Sequence, residues 1–247
     1  MDRRKFLKAG GMALFGSLAT EQALAFVAPG ALGGKEADRK TAVSLAMNHF
    51  GVSEADLRKV LTAALEKGGD YADLFFEHTL NNSISLMDGA VNSTRSNIDF
   101  GVGVRVLAGD QSGYAYVENV TLDEMLKAAR TAARIASSNR GNKPVNLSEK
   151  ELKKNYYSIA SSWEDTGLKD KMPYLQKLND RIFALDKRVS KVQAFQSDAT
   201  SHIFFCNSEG VMYYDYRPMV TLGAVCIMEE DGKTENSYAA RAYRKGF

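Results

Sequence analysis

Histidine, cysteine, surplus charge and long apolar runs are all scarce in this chain, and each scarcity removes a class of function. Only three histidines occur in 247 residues: His49, His78 and His202. None stands in a His-Glu-x-x-His helix or any other close pair, so no short-range metal motif is present. Basic and acidic residues nearly cancel, 32 against 30. No tract of Lys and Arg is dense enough to make a phosphate-binding surface, which argues against nucleic acid as a partner. Beyond residue 30 nothing approaches the ~18 consecutive apolar residues that a spanning helix needs. The two cysteines, Cys206 and Cys226, can pair only if their strands are neighbours. They fall in the expected first and third strands of a meander, so buried free thiols are expected.

What remains is an ordinary globular balance, 45% hydrophobic and 25% charged. The amino terminus is distinctive. Arg3-Arg4-Lys5-Phe6-Leu7-Lys8 precedes a short apolar run, and Ala23-Leu24-Ala25 supplies small residues at its exit. A positive start, a short apolar middle and a small-residue exit describe a secretory signal. Arg3, Arg4, Phe6 and Leu7 resemble the twin-arginine export signal, which is a receptor-read address. Residues 1–25 are therefore expected to be a signal peptide, and the mature protein to be exported, periplasmic and soluble.

The mature chain is expected to be α+β, a mostly antiparallel sheet with helices packed on it. Residues 26–52 read as a linker and a helix over Glu36–His49. Residues 53–140 hold a helix capped by Ser53, with Leu57, Val60, Leu61, Ala64 and Leu65 at helical spacing and Gly68-Gly69 at its end. Strands follow over Tyr71–Thr79, Ser83–Met87, Val91–Arg95, Asp99–Leu107 and Gly113–Val117, with Asp88-Gly89 as a two-residue hairpin turn. Thr121-Leu122-Asp123-Glu124 is a capping box. The helix after it carries Ala128, Ala129, Ala132 and Ala133, a thin face suited to close packing on a sheet. Residues 141–166 read as a connector. Residues 167–247 hold a helix over Leu168–Leu185, then strands over Val189–Ser197, His202–Cys206, Val211–Arg217 and Val220–Glu229. The plan of helix followed by strands occurs twice, too loosely for a duplication.

Candidate chemistry is thin. His49 ends a helix, where an imidazole suits the dipole. His78 and Glu77 are adjacent on a strand and so point to opposite faces. His202 and Cys206 are metal-ligand types four residues apart, but on a strand that spacing is ~13 Å, too far for one zinc. Asn207-Ser208-Glu209-Gly210 is a turn and lacks the Gly-x-Ser-x-Gly elbow. Gly101-Val102-Gly103 lies inside an apolar strand, where close backbone approach explains it. Glu229-Glu230-Asp231 reads as a solvated hairpin tip. No catalytic, metal or cofactor-binding residue is assigned, and the three imidazoles are expected to lie apart.

Two stretches resemble a known family. One is Tyr71-Ala72-Asp73-Leu74-Phe75-Phe76-Glu77 with Asn97–Arg105, including Gly101-Val102-Gly103-Val104-Arg105, and Ser112-Gly113-Tyr114-Ala115-Tyr116. The other is Arg217-Pro218 with Val225–Lys233. In that order they are similar to the first part of the TldD/PmbA family of zinc metallopeptidases, nearer to TldD. The resemblance implies peptide hydrolysis by zinc held in a His-Glu-x-x-x-His helix with a distant cysteine, and a paired, dimeric organisation. No position here matches that motif, so no ligand carries over. The chain is expected to be a non-catalytic amino-terminal portion of such an enzyme, needing no cofactor itself. It would shape a peptide cleft and a dimer surface, with a second copy or a homologous subunit as partner. A stand-alone exported binding module is the alternative.

Overall fold

The computed structural model describes residues 36–137, 144–150, 156–157 and 159–247, and of residues 36–41 the backbone alone. The export-signal residues Arg3, Arg4, Phe6 and Leu7 lie outside the described residues. In chain order the elements are α1 (Glu36–Phe50), α2 (Glu54–Leu65), β1 (Tyr71–Met87), β2 (Ala90–Ala108), β3 (Gln111–Val117), α3 (Leu122–Ile135), β4 (Ser148–Glu149), α4 (Leu168–Leu185), β5 (Val189–Asn207), β6 (Val211–Glu230) and β7 (Lys233–Tyr243). One sheet takes all the strands in the order β3-β2-β1-β5-β6-β4, with β7 also on β6, curled into a half-barrel. Every pairing is antiparallel except the short parallel contact of β4 with β6.

The expected α+β class holds. The strands, however, run longer than their hydrophobic pattern implies. Tyr71–Thr79 and Ser83–Met87 are one strand, β1, because the polar residues between them are satisfied in place. Asn82 donates to Asp198 Oδ1 (3.2 Å) and accepts from Ser96 Oγ (2.9 Å). Likewise β5 and β6 are each continuous. Pro218 sits on β6 between the reach of β4, which ends at Met212, and that of β7, which begins at Val220. Among the described residues β6 has no outer strand partner there, and a residue lacking N–H is tolerated at such an edge.

The turns form as their chemistry requires. Asp88 and Gly89 both take positive φ (51° and 81°), the mirror-image turn that suits a two-residue hairpin. Asp231 and Gly232 repeat it (51° and 74°). Ser53 and Thr121 cap α2 and α3, accepting from the backbone N–H of Asp56 and Glu124.

Two cores lie on one face of the sheet. The first gathers Leu57, Val60, Leu61 and Leu65 of α2 and the alanine face of α3 over Leu74, Phe76, Val102, Val104 and Phe204. Gly113 of β3 explains the alanines: a Cβ there would collide with the carbonyl oxygen of Ala132, so helix and strand touch backbone to backbone. The second core packs Leu175, Leu178 and Ile182 of α4 over Ile84, Leu86, Val192 and Ala224. Between them lies a buried ion pair, Lys171 Nζ to Asp198 Oδ2 at 2.8 Å. Asn82 and Gln196 also donate to Asp198, so the carboxylate is held by three donors.

Candidate functional site

The histidines converge, against the expectation that they lie apart. The β1–β5 ladder pairs Leu74 with Cys206, Phe76 with Phe204, and His78 with His202. Alternate residues of a strand share a face, so both imidazoles stand on the rim of the first core. α1 delivers the third. Phe50 is buried against Phe76, Phe100 and Phe204, with ring centroids 5.4, 5.7 and 6.5 Å away. That anchor seats the neighbouring His49 over the pair. His49 Nε2 lies 2.7 Å from His78 Nδ1, sharing one proton between the two rings. The His49 ring also stacks on His202 at 4.8 Å.

His202 is fixed by two further partners. Its Nε2 lies 2.7 Å from Glu164 Oε1, and its Nδ1 lies 2.7 Å from the Tyr214 hydroxyl. Because the carboxylate only accepts, Nε2 carries the proton. Tyr216 packs edge-on against the same ring at 5.2 Å, and Phe100 against His78 at 5.3 Å. Burial lowers the pKa of His49 below the usual imidazole range, and proximity to His202 and His78 lowers it further. Burial followed by the charge of His202 lowers His78 in the same way. Burial raises the Tyr214 phenol.

This cluster does not fit the zinc that the family implies. The 2.7 Å contact of His49 with His78 is a hydrogen bond, and both nitrogens of His202 are engaged by Glu164 and Tyr214. Among the described residues no three His, Cys, Asp or Glu side chains are grouped so as to hold a metal ion.

Glu77 and His78 do point apart: Glu77 accepts from Thr79 Oγ1, while His78 faces His49. His202 and Cys206 share strand β5. The strands of the two cysteines, β5 and β6, prove to be neighbours, which corrects the expected meander. The thiols are nonetheless far apart, since Cys206 pairs with Met212 and Cys226 with Val192 at opposite ends of the hairpin. Both are free and buried, and burial raises both thiol pKa values. Gly101 and Gly103 are close-approach sites: a Cβ would lie 2.5 Å from Val117 O at the first and 2.5 Å from Tyr114 Oη at the second. Ser208 is a structural turn residue whose hydroxyl accepts from Ala72 N–H (3.0 Å).

A second feature escaped the sequence. Residues 90–99 of β2 are all exposed, and β3 pairs only with residues 102–108. Among the described residues the outer edge of that segment has no strand partner. A cavity of about 280 Å³ opens beside it, lined by Asn81, Ser83, Arg95, Asn97 and Ser197 among others. No helix among the described residues is long and apolar enough to cross a membrane.

The fold is of a class already seen in solved proteins. It aligns with a proposed modulator of a DNA gyrase from Thermotoga maritima at a TM-score of 0.61 and 18% identity, covering 78% of this chain and 43% of that one. TldE from Thermococcus kodakarensis aligns at 0.56 and 14%, covering 76% and 43%. Residues 72–136 match the PmbA/TldA metallopeptidase domain 1, and residues 161–247 match the PmbA/TldA metallopeptidase central domain. The metalloprotease TldD homolog of Haemophilus influenzae is 30% identical over 181 residues, 72% of this chain. The homolog of Buchnera aphidicola (Acyrthosiphon pisum) is 24% identical over 201 residues, 81% of this chain. The chain belongs to the TldD/PmbA family. It spans 37% and 41% of the length of these two relatives.

Proposed function

We propose that this chain is a non-catalytic, peptide-binding part of an exported TldD-like zinc metallopeptidase. The observation that supports the reading most is the pairing of a family scaffold with a histidine cluster whose donors, among the described residues, do not fit zinc. Hydrolysis would then depend on a His-Glu-x-x-x-His segment outside these 247 residues, on a longer polypeptide or on a homologous subunit that pairs with this one.

The exposed edge of β2 supports the binding half of the proposal. A row of unpaired N–H and C=O groups can take an extended peptide as an added strand by main-chain hydrogen bonds. Asn92, Ser93, Thr94, Arg95, Ser96 and Asn97 keep that edge polar, and a polar edge resists self-association until a specific strand arrives. The cavity beside Arg95 and Asn97 would accept side chains of such a peptide.

Hydrogen exchange of the full chain with and without an unstructured peptide tests this. Protection confined to residues 90–99 supports it. Protection elsewhere, or saturable binding that Thr94→Pro leaves intact, contradicts the assignment of the edge. Co-purification with a complete homologous subunit tests the pairing.

A further inference from the structure

We propose that His49, His78 and His202 form a proton-operated latch that holds the end of α1 on the sheet when the imidazoles are neutral and releases it when they are protonated. Three elements meet at this point, α1 through His49, β1 through His78 and β5 through His202. The bond between His49 Nε2 and His78 Nδ1 requires one nitrogen to donate and the other to accept. Protonating both rings removes the acceptor and sets two cations 2.7 Å apart at their nearest nitrogens. The stack of His49 on His202 at 4.8 Å then becomes a second repulsive contact.

The groups facing the latch do not cancel that charge. From β2 comes Phe100, from β6 the neutral phenols Tyr214 and Tyr216, and from the loop before α4 the carboxylate Glu164. Glu164 is already bonded to His202 Nε2, so one carboxylate faces three imidazoles. Burial and mutual repulsion depress the affinity of His49 and His78 for protons, in agreement with the geometry.

Both groups bind protons more weakly folded than unfolded, so docking of α1 is fully favourable above the ordinary imidazole pKa of about 6.5 and weakens as pH falls below it. The loss levels off below the folded-state values. Phe50 leaves its seat against Phe76 and Phe204 as α1 lifts, which uncovers an aromatic surface at the rim of the first core.

The test is amide hydrogen exchange of the full chain between about pH 7.5 and about pH 5.5, corrected for intrinsic rates, with residues 42–50 of α1 compared against residues 175–182 of α4. Opening of α1 should increase about tenfold per pH unit for each proton taken up, with α4 unchanged. His49→Phe keeps an aromatic ring on the stack but cannot titrate, and should flatten the pH dependence. His78→Phe should do the same by removing the other partner. Opening of α1 in the unmodified chain that does not change with pH would overturn the latch. So would an unchanged slope in both variants, with circular dichroism establishing that each is folded.

Discussion

His78 and His202 stand directly opposite each other across the β1–β5 ladder, two residues beyond the Phe76–Phe204 pair that closes the first core. Their ring centroids are 6.0 Å apart; the His49 ring stacks on both, and their hydrogen-bond partners differ, His49 for His78, and Glu164 and Tyr214 for His202. His202 therefore ties the loop containing Trp163 and Glu164 to β5 and β6. His202→Phe should cost about 1–3 kcal/mol by leaving the partly buried Tyr214 hydroxyl without its partner and removing the bond to Glu164. Tyr214→Phe removes one bond and should cost about 1 kcal/mol. Urea denaturation at neutral pH measures both.

The Lys171–Asp198 pair is buried on both sides, with side-chain exposures of 4% and 1%. Removing one member strands the other charge in the interior, so Lys171→Met should destabilise the fold by about 3–5 kcal/mol. Replacing both, Lys171→Met with Asp198→Leu, should cost less than either single change allows for. A double-mutant cycle in denaturant checks this. Additive losses would show that the two charges are stabilised separately.

Gly109 in the β2–β3 turn and Gly113 on β3 should respond differently to alanine. At Gly113 the added methyl meets the Ala132 carbonyl and must push α3 off the sheet, an overpacking cost of about 1–3 kcal/mol or more. At Gly109 nothing lies within 4 Å, and only the positive φ of 58° is penalised, at about 1–2 kcal/mol. Thermal unfolding should rank the two, with Gly113→Ala also lowering the protection of α3 amides.

The thiols should be inert in the folded chain. Burial raises the pKa of Cys206 and Cys226, so both remain protonated where an exposed thiol ionises. A thiol-specific reagent at about pH 8 should label them only as fast as the protein opens, and promptly in denaturant. The same shift makes stability fall as pH rises past about 8.5, because only the unfolded chain releases the proton there. Prompt labelling of the native chain would contradict the burial.

Much of this architecture is legible in the sequence. Leu57, Val60, Leu61 and Leu65 mark one face of α2, and the alanines of α3 anticipate its close approach to a sheet. Asp88-Gly89 and Asp231-Gly232 mark the hairpins. Strand ends were harder, because Asn81, Asn82 and Pro218 look like breaks. Asn82 lies inside a strand because hydrogen bonds with Asp198 and Ser96 accommodate it, and Pro218 because that stretch of β6 has no outer strand partner among the described residues. The histidine cluster needs the β1–β5 register, a contact between residues more than a hundred positions apart. Its one signal is the order of residue types: Leu74-x-Phe76-x-His78 and His202-x-Phe204-x-Cys206 each set a phenylalanine between an apolar residue and a histidine, in opposite order, so that like types face each other across an antiparallel pair. Glu164 carries no such signal, because a connector side chain reaches its partner only once the chain has folded, and Tyr214 reaches His202 only through the β5–β6 register, diagonally from its own partner Phe204.

Peptide hydrolysis by the purified chain tests the central claim most directly. With unstructured peptides and added zinc, the account predicts saturable binding without cleavage, and cleavage only once a complete homologous subunit is supplied. Chelator-sensitive cleavage by this chain alone would contradict it.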